Sequence, residues 1–152
     1  MIWHRAVRRD ATVGGGDIAE FRVEYTPTSN DGRFGIFQLY VRGNALGDAT
    51  TTALYPHVRN LHALCDVAER LGTHRPEPLI LGDTFDHLII TLEATEEDMA
   101  FAFTTRPERQ WAEPPPWAPL PGRRMRLIVR REEVISAWRE AEPKLRHLLG
   151  GV

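Results

Sequence analysis

The stretch Gly32 to Asp48, GRFGIFQLYVRGNALGD, constrains the fold more than any other part of the chain. It reads as one apolar strand running into a tight Gly43-Asn44 turn. Side chains alternate along a strand, so Phe37, Leu39 and Val41 share one face and Phe34, Ile36 and Tyr40 the other. A strand that is apolar on both faces predicts a central position in a sheet, with something packed on each side.

The surrounding pattern predicts the rest of an α+β domain. Met1 to Val7 reads as a strand, and Asp10 to Asp17, with Gly14-Gly15-Gly16, as a flexible loop. From Ile18 to Tyr25, Phe21, Val23 and Tyr25 alternate with Glu20, Arg22 and Glu24, the mark of a half-buried antiparallel strand. Pro56 suits the first helical position and Gly72 the C-terminal cap of a helix striped by Val58, Leu61, Leu64 or Cys65, Ala68 and Leu71. A hairpin follows, His87–Ala94 and Met99–Thr105, joined by the acidic tip Thr95-Glu96-Glu97-Asp98. Arg106 to Gly122 is a proline-rich connector, and Arg124 to Arg130 a last strand. The C-terminal helix starts near Arg131, and Pro143 predicts a break into two pieces. The expected fold is a mainly antiparallel sheet of about five to seven strands, one central helix and a C-terminal helix, in one domain over residues 1–152.

Composition excludes several classes. The single cysteine, Cys65, rules out an internal disulfide framework and suits a reducing compartment. No apolar run resembles a secretory leader or the ~20 residues of a membrane span, which points to the cytoplasm. The net charge of −2 conceals an asymmetry. Residues 1–75 hold nine Arg against eight acids. Residues 76–105 hold seven acids, Glu77, Asp83, Asp86, Glu93, Glu96, Glu97 and Asp98, with no Lys or Arg. Residues 106–152 hold ten basic residues against six acids.

Candidate chemistry is sparse. Gly14-Gly15-Gly16 lacks the Lys-Ser/Thr and following helix of a phosphate loop. His62 and Cys65 lie one helical turn apart, but nothing completes a zinc site, and the Cys65 position belongs to the buried stripe. The most enzyme-like cluster is Gly82 to His87, where Asp83, Asp86 and His87 could bind a metal or ligand or carry acid–base chemistry. No further ligand group of recognisable spacing accompanies it, so the expectation is no enzyme, no metal and no cofactor. The loop Glu113 to Gly122 resembles a polyproline ligand, and Trp111 and Trp117 are of the type most enriched at binding hot spots. The acidic block repels nucleic acid and would steer a basic protein toward the chain.

The Gly32–Asp48 segment, followed by Ala53-Leu54-Tyr55 and the helix around Val58 to Leu71, resembles bacterial polymorphic-toxin immunity proteins, in particular the family numbered forty-two. The resemblance covers roughly residues 18 to 71. It implies a non-catalytic protein that binds and neutralises a cognate toxin domain in the producing cell, with neither nucleic acid nor membrane as partner. Asp83, Asp86, Glu93, Glu96, Glu97 and Asp98 are then expected to face a basic cleft, with Trp111 or Trp117 as anchors.

Overall fold

The computed structural model describes residues 11–70, 74–79, 83–106 and 114–150, with the backbone alone for 74–79 and Asp83. The first sheet contains β1 (Val13–Asp17), β2 (Phe21–Pro27), β3 (Phe34–Val41), β4 (Asn44–Ala45) and β5 (Thr51–Ala53). Its order is β1-β2-β3-β4, with β5 also paired to β3. The second sheet runs β6-β7-β8-β9, formed by His74–Leu79, Leu88–Ala94, Asp98–Thr105 and Met125–Arg130. All pairings are antiparallel. Helix α1 (Leu54–Glu69) is central in the chain and α2 (Arg131–Leu148) closes it. The α+β class and both helices agree with the sequence reading, and the strands divide between two sheets.

One hydrophobic core joins these parts. Phe21, Val23, Tyr25, Phe37, Leu39 and Val41 line the inner face of the first sheet, and Leu88, Ile90, Leu92, Met99, Phe101 and Phe103 that of the second. The Phe21 and Phe101 rings stack across the junction at 5.8 Å. Helix α2 lies across β1 and β2, while α1 packs on β3, β6, β7 and α2. The predicted α1 stripe is buried at Val58, Leu61, Leu64, Cys65 and Ala68, whereas Leu71 and Gly72 lie outside the described residues. The Met1–Val7 strand also lies outside them.

Four local expectations are corrected. Gly14-Gly15-Gly16 is strand β1, paired from Val13↔Tyr25 to Asp17↔Phe21. A Cβ on Gly15 would stand 2.5 Å from the Ala137 carbonyl oxygen and 2.9 Å from the Ala141 nitrogen. The glycines therefore let the α2 backbone approach the sheet, which loop chemistry alone could not reveal. Second, the hairpin turn is Arg42-Gly43, since Val41 pairs with Asn44. Both turn residues have positive φ, 52° and 81°, matching the twist of the flanking strands.

Third, β3 is central in hydrogen bonding, but its apolar outer-face side chains are not enclosed as the inner-face ones are. Phe37, Leu39 and Val41 are fully enclosed, while Phe34 is 50% exposed and Ile36 and Tyr40 are partly covered. The neighbours on that outer face, Arg22, Glu24 and Thr26, are polar, and both helices occupy the other side. Fourth, α2 runs unbroken through Pro143. The missing N–H and ring clash cost roughly 3 kcal/mol in a helix interior, so burial of Ala141 and Leu145 on either side holds the helix together there. The sequence reading missed β6, where Pro76 and Pro78 argue against a strand; prolines are tolerated because β6 is a sheet edge.

Candidate functional site

The acidic hairpin is built by short-range bonding and then pinned by one arginine. At its tip the Thr95 N–H donates to the Asp98 carbonyl at 2.8 Å, and the Asp98 N–H to Thr95 Oγ1 at 3.1 Å. Glu96, Glu97 and Asp98 are exposed. The Arg131 N–H donates to the Glu97 carbonyl at 2.8 Å, and its Nε to the Glu96 carbonyl at 3.1 Å. A guanidinium N–H of the same residue donates to the Ala68 carbonyl at 3.0 Å, near the C-terminus of α1, where a cation is favoured. One side chain thus ties the hairpin, the end of α1 and the start of α2 into a fixed arrangement.

That arrangement brings a second set of acids to the first. Glu96, Glu97, Asp98, Glu132 and Glu133 line, with Arg130, a cavity of about 330 Å³. Arg130 is bonded to Glu133 at 2.9 Å, leaving a carboxylate excess around the cavity. Glu132 and Glu133 escaped the sequence reading as site residues because they belong to a chain segment of net positive charge. The pairing of Asp98 with Arg130 across β8 and β9 places them beside the hairpin.

Among the described side chains, Glu93 and Asp86 do not line this cavity. Glu93 is exposed on β7, one residue before the strand's end. Asp86 precedes β7 at its far end, about 20 Å from the hairpin at about 3.3 Å per residue. The Asp83 side chain, the Glu77 side chain and Trp111 lie outside the described residues. Trp117 is turned back onto the domain. Its Nε1–H donates to the Ala45 carbonyl at 2.7 Å and its ring meets Phe103 edge-on at 5.2 Å, so it ties β4 to β8.

The described part of the Gly82–His87 cluster, from Asp83 onward, is organised as a joint between the sheets. Asp83–Phe85 forms a single 3-10 turn. Thr84 Oγ1 donates to Asp48 Oδ1 at 2.6 Å, as does Thr50 Oγ1, and the Thr50 N–H does so at 3.0 Å. Burial disfavours the Asp48 carboxylate, but these bonds from Thr50 and Thr84 outweigh it and hold the pKa below the usual range. His87 is 1% exposed, and neither ring nitrogen has a hydrogen-bond partner among the described residues. Burial lowers its pKa against the opposing pull of Asp48. Among the described residues, no three His, Cys, Asp or Glu side chains are placed to hold a metal. Cys65 is buried on α1, and burial followed by the charge of Glu69 pushes its thiol up to about 12. A protonated, enclosed thiol is a poor nucleophile. His62 instead contacts Glu142 at 3.4 Å, across the helix pair.

The His87 environment sets a pH dependence. The unfolded imidazole takes its proton near pH 6.5 and the folded one only at lower pH. The unfolded state therefore binds more protons below about pH 6.5, and stability falls from there as pH drops. The Asp48 contribution is present above the unfolded carboxylate value of about 3.9 and disappears only as pH falls below it. Thermal melts between pH 7.5 and 5 should show a declining midpoint in the native protein and a flatter one in His87→Gln. An equal decline in both would remove His87 as the source.

No protein-family model matches the chain, and no curated protein does. Among the described residues, no helix is long and apolar enough to cross a membrane. Among solved structures, the crystal structure of CdiI from Burkholderia dolosa AUO158 is similar at a TM-score of 0.54 and 10% identity, over 91% of this chain and 99% of that one. At this identity the likeness is one of fold, over nearly the whole of both chains.

Proposed function

We propose that this chain is an immunity protein that binds and neutralises a cognate bacterial toxin domain in the cytoplasm of the cell that makes it, without catalysing a reaction. The observation that carries the reading is the fold likeness to CdiI, a contact-dependent inhibition immunity protein, across nearly the whole of both chains. The sequence pattern of residues 18 to 71 resembles the immunity family numbered forty-two, but no family model matches the chain, so the reading rests on the fold likeness.

The working surface in this proposal is the carboxylate cavity. Glu96, Glu97 and Asp98 act there together with Glu132 and Glu133, and Glu93 extends the acidic face along β7. Asp83, Asp86, Trp111 and Trp117 belong to the surface expected from sequence. Of these, Asp86 and Trp117 lie away from the cavity and contribute less to it. A concentrated field of one sign speeds the approach of an oppositely charged partner and falls with ionic strength. The partner that fits is a toxin domain with a basic active-site cleft, such as a nuclease.

The test is growth rescue. If the neighbouring gene encodes a large secreted protein, its C-terminal domain is expressed with and without this chain. Rescue together with co-purification of the pair is the expected result. Continued toxicity with this chain present at high level contradicts the proposal.

A further inference from the structure

The two acidic sets that meet at the cavity are joined through one residue. The Arg131 side chain is 15% exposed. Its two shorter guanidinium bonds end on carbonyl oxygens, that of Glu96 at 3.1 Å and that of Ala68 at 3.0 Å. Its backbone N–H donates to a third carbonyl, that of Glu97, at 2.8 Å. The hairpin is gripped by its main chain, and Glu96 and Glu97 stay exposed.

The same grip completes the start of α2. Arg130, at the N-cap, makes no side-chain capping bond, and the Glu97 carbonyl accepts the first helical N–H instead. Glu132 and Glu133 lie in that first turn, where the helix dipole favours carboxylates. The Arg131 guanidinium is 3.4 Å from Glu132 Oε1, and the Glu132 side chain is itself 71% exposed. Ala68, at the far side of the guanidinium, belongs to the last turn of α1.

We propose that Arg131 is a positioning residue that fixes the hairpin carboxylates relative to Glu132 and Glu133. The surface then selects a particular arrangement of basic groups rather than positive charge in general; this inference rests on the immunity reading above. Geometry and charge make opposite demands at this position. Removing the guanidinium makes the surface more negative, which by electrostatics alone speeds and strengthens capture of a basic partner. It also takes a donor from the Glu96 and Ala68 carbonyls and frees the hairpin to move against the helices. A partner must then order the hairpin as it binds, a cost that appears chiefly in dissociation.

The experiment compares the native chain, Arg131→Met and Arg131→Lys, each checked for folding by thermal melting. Two probes are used: a hexa-arginine peptide, which is basic without a fixed arrangement, and a toxin domain that the native chain neutralises in the growth-rescue assay. Arg131→Met should bind hexa-arginine at least as tightly as the native chain, yet release the toxin domain about tenfold faster. Arg131→Lys keeps the charge, but one ammonium cannot replace two nitrogens aimed at different elements. It should associate with the toxin domain at the native rate and dissociate faster. Native dissociation in both variants overturns the proposal while leaving the immunity reading intact. Equal weakening of both probes by Arg131→Met overturns it too, since it would trace the effect to general damage. A native chain that neutralises no toxin domain defeats the immunity reading, and this inference with it. If Arg131→Met fails to fold, Arg131→Lys decides alone: faster dissociation supports the positioning role and native dissociation rejects it.

Discussion

Gly15→Val should destabilise the protein by more than about 3 kcal/mol, beyond the 1–3 kcal/mol typical of an overpacked core. The valine Cβ would meet the Ala137 carbonyl at 2.5 Å and the Glu140 Cβ at 2.7 Å, both on α2, whose position is fixed by buried Val134, Trp138, Ala141 and Leu145. Relief requires lifting that helix from the sheet, which exposes the core beneath it. Gly15→Ala meets the same atoms with less bulk and should cost less than valine. Gly43→Ala is the contrasting case: nothing lies within 4 Å of its added Cβ, and the penalty is the backbone strain of a φ of 81°, about 1 kcal/mol. Urea unfolding of the three variants checks the order. A Gly15→Val protein as stable as the native one would mean that α2 does not sit on β1 as described.

The second large effect is expected at Trp117. Truncation to alanine removes its edge-on contact with Phe103 and the hydrogen bond from its indole to the Ala45 carbonyl. The ring is partly covered, so the loss should lie near the lower end of the roughly 3–5 kcal/mol seen for fully buried tryptophans. Trp117→Phe keeps an aromatic surface and loses the hydrogen bond, a change of about 1 kcal/mol. Thermal melts of both variants measure this. Native stability in Trp117→Ala would return the residue to the role of a free anchor for a partner.

These two residues show where the sequence was legible and where it was not. Alternation along Phe21–Tyr25 and Leu88–Leu92, and the three- and four-residue spacing of α1, report burial directly, and every stripe residue within the described chain is in the core. Glycine reports only permission. Gly14-Gly15-Gly16 permits a loop or a close approach, and the deciding partner, α2, is more than a hundred residues away. Trp117 has the same ambiguity, since an indole in a proline-rich connector suits a binding loop or a strap equally well. Pro143 misled in the other direction, because a local helix penalty is outweighed by packing that no local rule contains.

The candidate site divides along the same line. The acidic hairpin was visible as a charge block that is continuous in sequence. Its completion by Glu132 and Glu133 depends on Arg131 holding three elements together, which is tertiary information. Asp86 and the hairpin acids look like neighbours in the sequence, but the length of β7 separates them. His87 read as a possible acid–base group and is instead an enclosed ring at the joint between the sheets.

The most direct test of the account is the association rate of the purified chain with the toxin domain proposed as its partner, measured for the native protein and for Glu96→Lys/Glu97→Lys/Glu132→Lys across a range of salt. These positions are exposed at the cavity rim, so folding should be retained and can be verified by thermal melting. The account predicts fast association of the native chain at low salt that declines steeply as salt rises, and association at least about tenfold slower for the reversed variant, in keeping with electrostatic steering. Equal rates for the two proteins at every salt concentration would contradict it.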